Sequence, residues 1–131
     1  MTSLDTNVVV RLIVGDDARQ AQAAERLVAS RPCQVATTVL LETEWVLRAA
    51  YDLPARTIAM ALRNLLAIEN IDAADPALAD RALTAYESGL DFADALHASQ
   101  RVEGDEFATF DRALIRGAVK CGLRGIVMVN V

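Results

Sequence analysis

The stretch EFATFDRALIRGAVKCGLRGIVMV, residues 106–129, decides the fold class. Glu106–Phe110 reads as a short strand, Asp111 starts a helix that runs to Lys120, and Ile126–Val129 reads as the next strand. Two strands joined through a helix make a βαβ unit, in which the helix carries the chain back so that the strands lie parallel. The same alternation continues outward. Ser3–Leu4 closes a very short first strand, followed by helices over Asn7–Val14 and Ala18–Ser30. Gln34–Ala36 is the next strand, and Thr37 or Thr38 caps a helix to about Tyr51. Pro54 suits the first position of a helix to Leu66, Ile68–Ile71 is a candidate strand, and Pro76 opens a helix that Gly89 ends. Asp91 caps a helix that runs to Gly104. The pattern predicts an α/β fold with a central parallel sheet and helices on both faces, in one domain over residues 1–131.

Composition narrows the function. The chain has 53% hydrophobic and 24% charged residues, a globular balance. The longest uncharged run, Pro32–Leu41, is far shorter than the ~20 residues that span a bilayer. The start MTSLDTNVVV has an acid at position 5 and no basic flank, unlike a secretion signal. Cys33 and Cys121 are too few and too far apart for a disulfide framework or a thiolate zinc site. They read as small core residues in a reducing compartment, and the expected location is cytoplasmic. Thirteen basic residues against 18 acidic give a net charge of −5, opposite to that of a nonspecific nucleic-acid binder. A local site remains open to nucleic acid if clustered carboxylates hold a divalent cation. A single histidine excludes histidine-rich zinc sites and leaves carboxylates as the plentiful functional group.

In open parallel sheets, sites form at the carboxyl ends of the strands. Five acids lie there or in the first turns that follow: Asp5, Glu42, Asp91, Asp94 and Asp111. Asp5, Asp91 and Asp111 are also good helix N-caps, and the helix dipole favours Asp94. On a helical wheel Glu42 is surrounded by Val39, Trp45, Val46 and Ala49, which predicts an inward carboxylate that needs a partner. Glu44 falls away from it with Arg48 four residues on, which predicts a solvated surface pair. In the helix after Asp91, Phe92, Ala95, Leu96 and Ser99 define the buried side, with Asp94, His97 and Arg101 opposite. His97 reads as a surface or structural residue and Arg112 as solvated. Trp45, Phe92 and Phe110 read as core. Carboxylates 4 Å apart repel by about 1 kcal/mol in water and about 4 at an effective dielectric of 20, so a cluster calls for protonation or cations. Oxygen-only ligands suit Mg²⁺ or Mn²⁺, which can activate water against a phosphodiester.

Four segments, LDTNVVVRLI at 4–13, VLLETEWVLRAAYDL at 39–53, DFADALHASQ at 91–100 and ATFDRAL at 108–114, resemble the PIN-domain ribonucleases, most closely the VapC toxins of bacterial type II toxin–antitoxin pairs. The resemblance implies a three-layer α/β/α fold whose parallel sheet is ordered 3-2-1-4-5. It implies Asp5, Glu42, Asp94 and Asp111 as the catalytic acids, with Asp5, Asp94 and Asp111 holding Mg²⁺ or Mn²⁺. Glu42 would orient or deprotonate the attacking water, or bind a second cation. Asn7, Asp91 and Thr109 match supporting positions, and the Asp91/Asp94 pair leaves two candidates for the third ligand. The implied activity is endoribonuclease cleavage to a 3′-hydroxyl and a 5′-phosphate. The implied partners are an RNA substrate, a cognate antitoxin and a second copy of the chain, with no membrane. Two other readings compete. An aspartyl-phosphate phosphatase wants a second Asp where Asn7 stands, and a response-regulator receiver wants a Lys near its last strands where the only one is Lys120. A degenerate PIN domain that only binds a protein or RNA partner would not need all four acid positions filled.

Overall fold

The computed structural model describes residues 1–131 and resolves seven helices and five parallel strands in two compact units, Met1–Pro76 and Ala77–Val131. In the first unit, β1 (Thr2–Ser3) leads through α1 (Thr6–Val14) and α2 (Ala18–Ser30) to β2 (Cys33–Val35). The chain then passes through α3 (Thr37–Ala49) and α4 (Ala55–Leu66) to β3 (Ile71–Ala73). The sheet is parallel in the order β1-β2-β3, with Thr2 opposite Cys33 and Cys33 opposite Ile71. Gly15, at φ 68°, ends α1 in the left-handed conformation that a side chain resists, and its N–H closes on the Arg11 carbonyl. Asp17 caps α2 by accepting from the Gln20 N–H at 3.1 Å. α1 packs on α2 and α3, and α3 packs on α4.

Ile68–Ile71 does not form the expected strand. Asn70 takes a left-handed φ of 74°, its side-chain amide donates to the Val28 carbonyl, and the Ile71 N–H turns back to the Ile68 carbonyl. That turn delays β3 until Ile71.

The second unit contains α5 (Pro76–Glu87, from its second residue), α6 (Phe92–Gln100), β4 (Phe107–Thr109), α7 (Arg112–Cys121) and β5 (Ile126–Met128). β4 and β5 pair in parallel, with Phe107 opposite Ile126, and α7 packs on both. The expected βαβ unit is therefore present. Its core includes Tyr86 and Phe92, edge to face with ring centroids 5.0 Å apart. Gly117 lies where a Cβ would stand 2.6 Å from a methyl of Leu90, so a side chain there requires Leu90 to shift.

α6 stops at Gln100, short of the expected Gly104. Arg101 adopts an extended conformation, and its Nε returns to the Ala98 carbonyl at 2.9 Å. The rest of its guanidinium donates to the carbonyls of Asp105 and Arg124, tying the α6–β4 and α7–β5 loops together. Gly125 sits against this guanidinium at φ 77°.

Of the expected order 3-2-1-4-5, the pairing shows two ladders, β3-β2-β1 in the first unit and β4-β5 in the second. β1 is only two residues long, and the ladder it forms is with β2. Phe92 is buried as expected, but Trp45 is 57% and Phe110 68% exposed, so neither belongs to the core. Cys33 is buried, and both cysteines are free thiols.

Candidate active site

β1 ends in a short approach to α1. The Leu4 N–H donates to the Gln34 carbonyl, and Asp5 follows at the N-cap of α1 with extended backbone. Its main-chain carbonyl accepts from Val9, but its carboxylate makes no capping hydrogen bond. Asp5 is exposed, so this carboxylate is available for another task than the cap it is positioned to serve. Asn7 is exposed in the first turn of α1.

On α3 the two glutamates have the opposite of the expected environments. Glu42 is exposed, whereas Glu44 is 2% exposed and receives Arg48 Nε at 2.9 Å and Nη2 at 3.3 Å. The buried stripe of α3 is Leu40, Thr43, Glu44 and Leu47, spaced i, i+3, i+4, i+7. A helix apolar on several sides offers more than one such stripe, and the one around Glu42 is not the one buried. Glu42 thus needs no buried partner.

In the second unit the two aspartates of α6 divide their roles. Asp91 is the N-cap, accepting from the Asp94 N–H at 3.1 Å. Asp94 is half-buried in the first turn. Burial, then the charges of Asp91 and Asp111, hold its carboxyl above the ordinary carboxylate value, while His97 pulls it the other way. The expected buried side of α6 is observed, with Phe92, Ala95, Leu96 and Ser99 all buried. His97 is exposed.

Asp111 follows β4 directly and caps α7. Its Oδ1 accepts from the Ala113 and Leu114 N–H groups at 2.8 and 3.3 Å. Its own N–H donates to Thr109 Oγ1 at 3.0 Å, so Thr109 fixes the turn that presents the carboxylate. Only one oxygen of Asp111 is used by the cap.

The donors are oxygens throughout, the class suited to Mg²⁺ or Mn²⁺, and a cation beside Asp94 would offset the burial and the neighbouring charges that raise its carboxyl. No three His, Cys, Asp or Glu side chains come together as a formed metal site. The donor chemistry fits a divalent ion.

The PIN domain family model matches residues 3–120. The chain belongs to the PIN-domain family. PIN domains are nuclease-type domains, generally metal-dependent ribonucleases acting on nucleic acid. The matched span of this PIN domain contains Asp5, Asn7, Glu42, Asp91, Asp94, Thr109 and Asp111, and leaves β5 outside. Searches of the curated proteins and of solved structures return no match. No helix is long and apolar enough to cross a membrane.

Sequence reasoning misjudged one polar contact and missed another. The first is the Glu44–Arg48 pair, expected at the surface but found with Glu44 buried, a burial signalled by the 40/43/44/47 spacing. The other joins Tyr51, whose hydroxyl donates to Asp16 at 2.8 Å, to Arg11, which donates to both. It ties the C-terminal side of α3 to α1, and no local spacing announces a contact between residues 40 positions apart.

Proposed function

We propose that this PIN domain is a metal-dependent endoribonuclease and the toxin of a VapBC-type toxin–antitoxin pair. Asp5, Asp94 and Asp111 would hold Mg²⁺ or Mn²⁺, with Asp91, Asn7 and Thr109 in supporting positions. When bound, the ion supplies charge neutralisation of the phosphate and lowers the pKa of a water. Glu42, exposed and free of a buried ion pair, orients that water or accepts its proton. Attack on the phosphodiester leaves a 5′-phosphate and a 3′-hydroxyl. The observation that carries the reading is the Asp111 carboxylate at the end of β4, which caps α7 through Oδ1 alone and leaves its second oxygen outside the cap.

The proposal extends to one catalytic domain over residues 1–131 in the cytoplasm, where Cys33 and Cys121 stay reduced, and to a five-stranded sheet ordered 3-2-1-4-5 in the active form. It also includes a homodimer and an antitoxin as protein partners. The exposed Trp45 and Met60, at 57% and 59%, are large apolar side chains of the kind such contacts cover. Incubation of the protein with mixed short RNAs, with Mn²⁺ and with chelator, tests the activity. Metal-dependent fragments bearing 5′-phosphates, absent with Asp5→Asn, are expected. Cleavage that persists in chelator sinks the metal mechanism.

The large exposed side chains of Trp45 and Phe110 favour one second reading, a catalytically weak PIN domain that binds protein or RNA. It predicts RNA retention without fragments at any Mn²⁺ concentration. The family match is to nucleases, so nothing beyond the position of Asp5 favours an aspartyl-phosphate phosphatase.

A further inference from the structure

The turn between β4 and α7 carries three consecutive exposed side chains of different chemistry: Phe110, Asp111 and Arg112. Phe110 is the anomaly among them. A phenylalanine flanked by an apolar strand and an amphipathic helix is expected inside, yet it is 68% exposed. It does not hang from a loose loop. On one side the Val129 N–H donates to the Thr109 carbonyl, and Thr109 Oγ1 accepts from the Asp111 N–H. On the other, Asp111 Oδ1 accepts from Ala113 and Leu114 at the start of α7. The backbone on both sides of Phe110 is thus pinned by hydrogen bonds, and the ring is held in solvent next to a candidate catalytic carboxylate.

We propose that Phe110 is a stacking platform for an unpaired base of a single-stranded RNA substrate, placed beside the scissile phosphate. The inference rests on the ribonuclease reading of Asp111. Every base offers a π-face, so an aromatic ring on a rigid support binds single-stranded RNA with little sequence demand. A ring fixed next to the acid also sets which phosphate reaches it, because the stacked nucleotide fixes the position of its neighbour. Arg112, exposed on the far side of Asp111, supplies a positive charge within one residue for the flanking phosphate. Paired bases already stack on their neighbours and gain nothing from the ring, so the platform selects single strands over duplexes.

The test uses the full chain with Mn²⁺ and an RNA whose cleavage position has been mapped. kcat/KM is measured for wild type and for Phe110→Trp, Phe110→Leu and Phe110→Ala, with Val119→Ala as control. Val119 is 78% exposed on α7 and is outside the proposed site. Base–aromatic stacking corresponds to an expected loss of about 5- to 150-fold in Phe110→Ala and Phe110→Leu. Phe110→Trp and Val119→Ala should remain near wild type, and all melts should be unchanged. A substrate with an abasic nucleotide beside the cleavage position should be cut poorly by wild type, and Phe110→Ala should lose nothing further on it. If Phe110→Leu cleaves as well as wild type, or if Phe110→Ala changes only the oligomeric state, the platform is refuted while the nuclease reading stands. If wild type cuts no RNA, both fall together.

Discussion

Replacing Arg48 by alanine probes the buried carboxylate of α3 directly. The Glu44 side chain is 3% exposed and takes a two-point hydrogen bond from Arg48, whose own side chain is 50% exposed. Hydrogen bonds to a charged group contribute about 1.5–3 kcal/mol. Breaking a fully buried ion pair costs about 3–5 kcal/mol, because the remaining charge stays desolvated. Half of Arg48 lies in water, which screens the pair, so Arg48→Ala should lose about 2 kcal/mol, near the lower range. In a 131-residue chain, with about 3–6 °C per kcal/mol, Tm should fall by about 6–12 °C. A solvated i,i+4 pair would instead cost about 0.3–0.5 kcal/mol. Urea denaturation of wild type, Arg48→Ala, Glu44→Gln and the double variant measures the loss and the coupling between the two residues. Glu42→Gln serves as the internal control, with stability within about 0.5 kcal/mol of wild type as for an exposed position, and with cleavage abolished. A loss below about 0.5 kcal/mol in Arg48→Ala, or a larger loss in Glu42→Gln, would refute the assignment of the buried glutamate.

Asp5→Asn should abolish cleavage and leave the melt in chelator unchanged, because the Asp5 carboxylate makes no capping hydrogen bond; a large drop in Tm would refute this. Asp91→Ala removes the acceptor of the Asp94 N–H and should cost about 1 kcal/mol with metal binding partly kept, whereas Asp94→Asn should be stable and fail to bind Mn²⁺ in calorimetry. If Asp91→Ala abolishes binding and Asp94→Asn does not, the two roles are exchanged. The Asp94 carboxyl lies above the unfolded value near 3.8, so in that window the folded state binds more protons than the unfolded chain. Its contribution to stability therefore declines as pH rises from 3.8 through the folded pKa, and urea melts of Asp94→Asn in chelator should lack this decline. Asp16 shifts the other way, lowered first by the Tyr51 hydroxyl, so its stabilising contribution is present above 3.8 and is lost as pH falls through the folded value. Tyr51→Phe should reduce that acid sensitivity in urea melts across pH, leaving the part that Arg11 supplies.

Helix boundaries were legible wherever a local signal sets them. The residues that begin and end α2, Ala18 and Ser30, follow from the cap at Asp17 and the run of small and apolar residues between. Strand limits were less legible, since β3 begins where Asn70 leaves the left-handed region, a conformation chosen by its contact with Val28 far back in the chain. The acids of α6 and α7 could be read as caps because an N-cap is a local interaction. The burial of Glu44 in place of Glu42 could not, because α3 is apolar on more than one side and the choice of face depends on neighbouring helices. Trp45 and Phe110 misled for a related reason: hydrophobicity says what a side chain gains from burial, and not whether the fold supplies a surface to bury it against. The β1-β2-β3 and β4-β5 ladders reproduce the two halves of the expected order, while the link between them is a long-range property to which no local pattern speaks.

The guanidinium of Arg101 and the bare backbone of Gly125 constrain inheritance as well as stability. Any side chain at 125 would both strain a φ of 77° and collide with the arginine that ties the two loops. Shortening Arg101 removes the collision but unties the loops; changing Gly125 first displaces the tie. Neither order of mutation offers a neutral first step. Positions 101 and 125 should therefore drift as one character among descendants of this sequence, and the loop after α7 should evolve at the pace of a residue more than twenty positions before it.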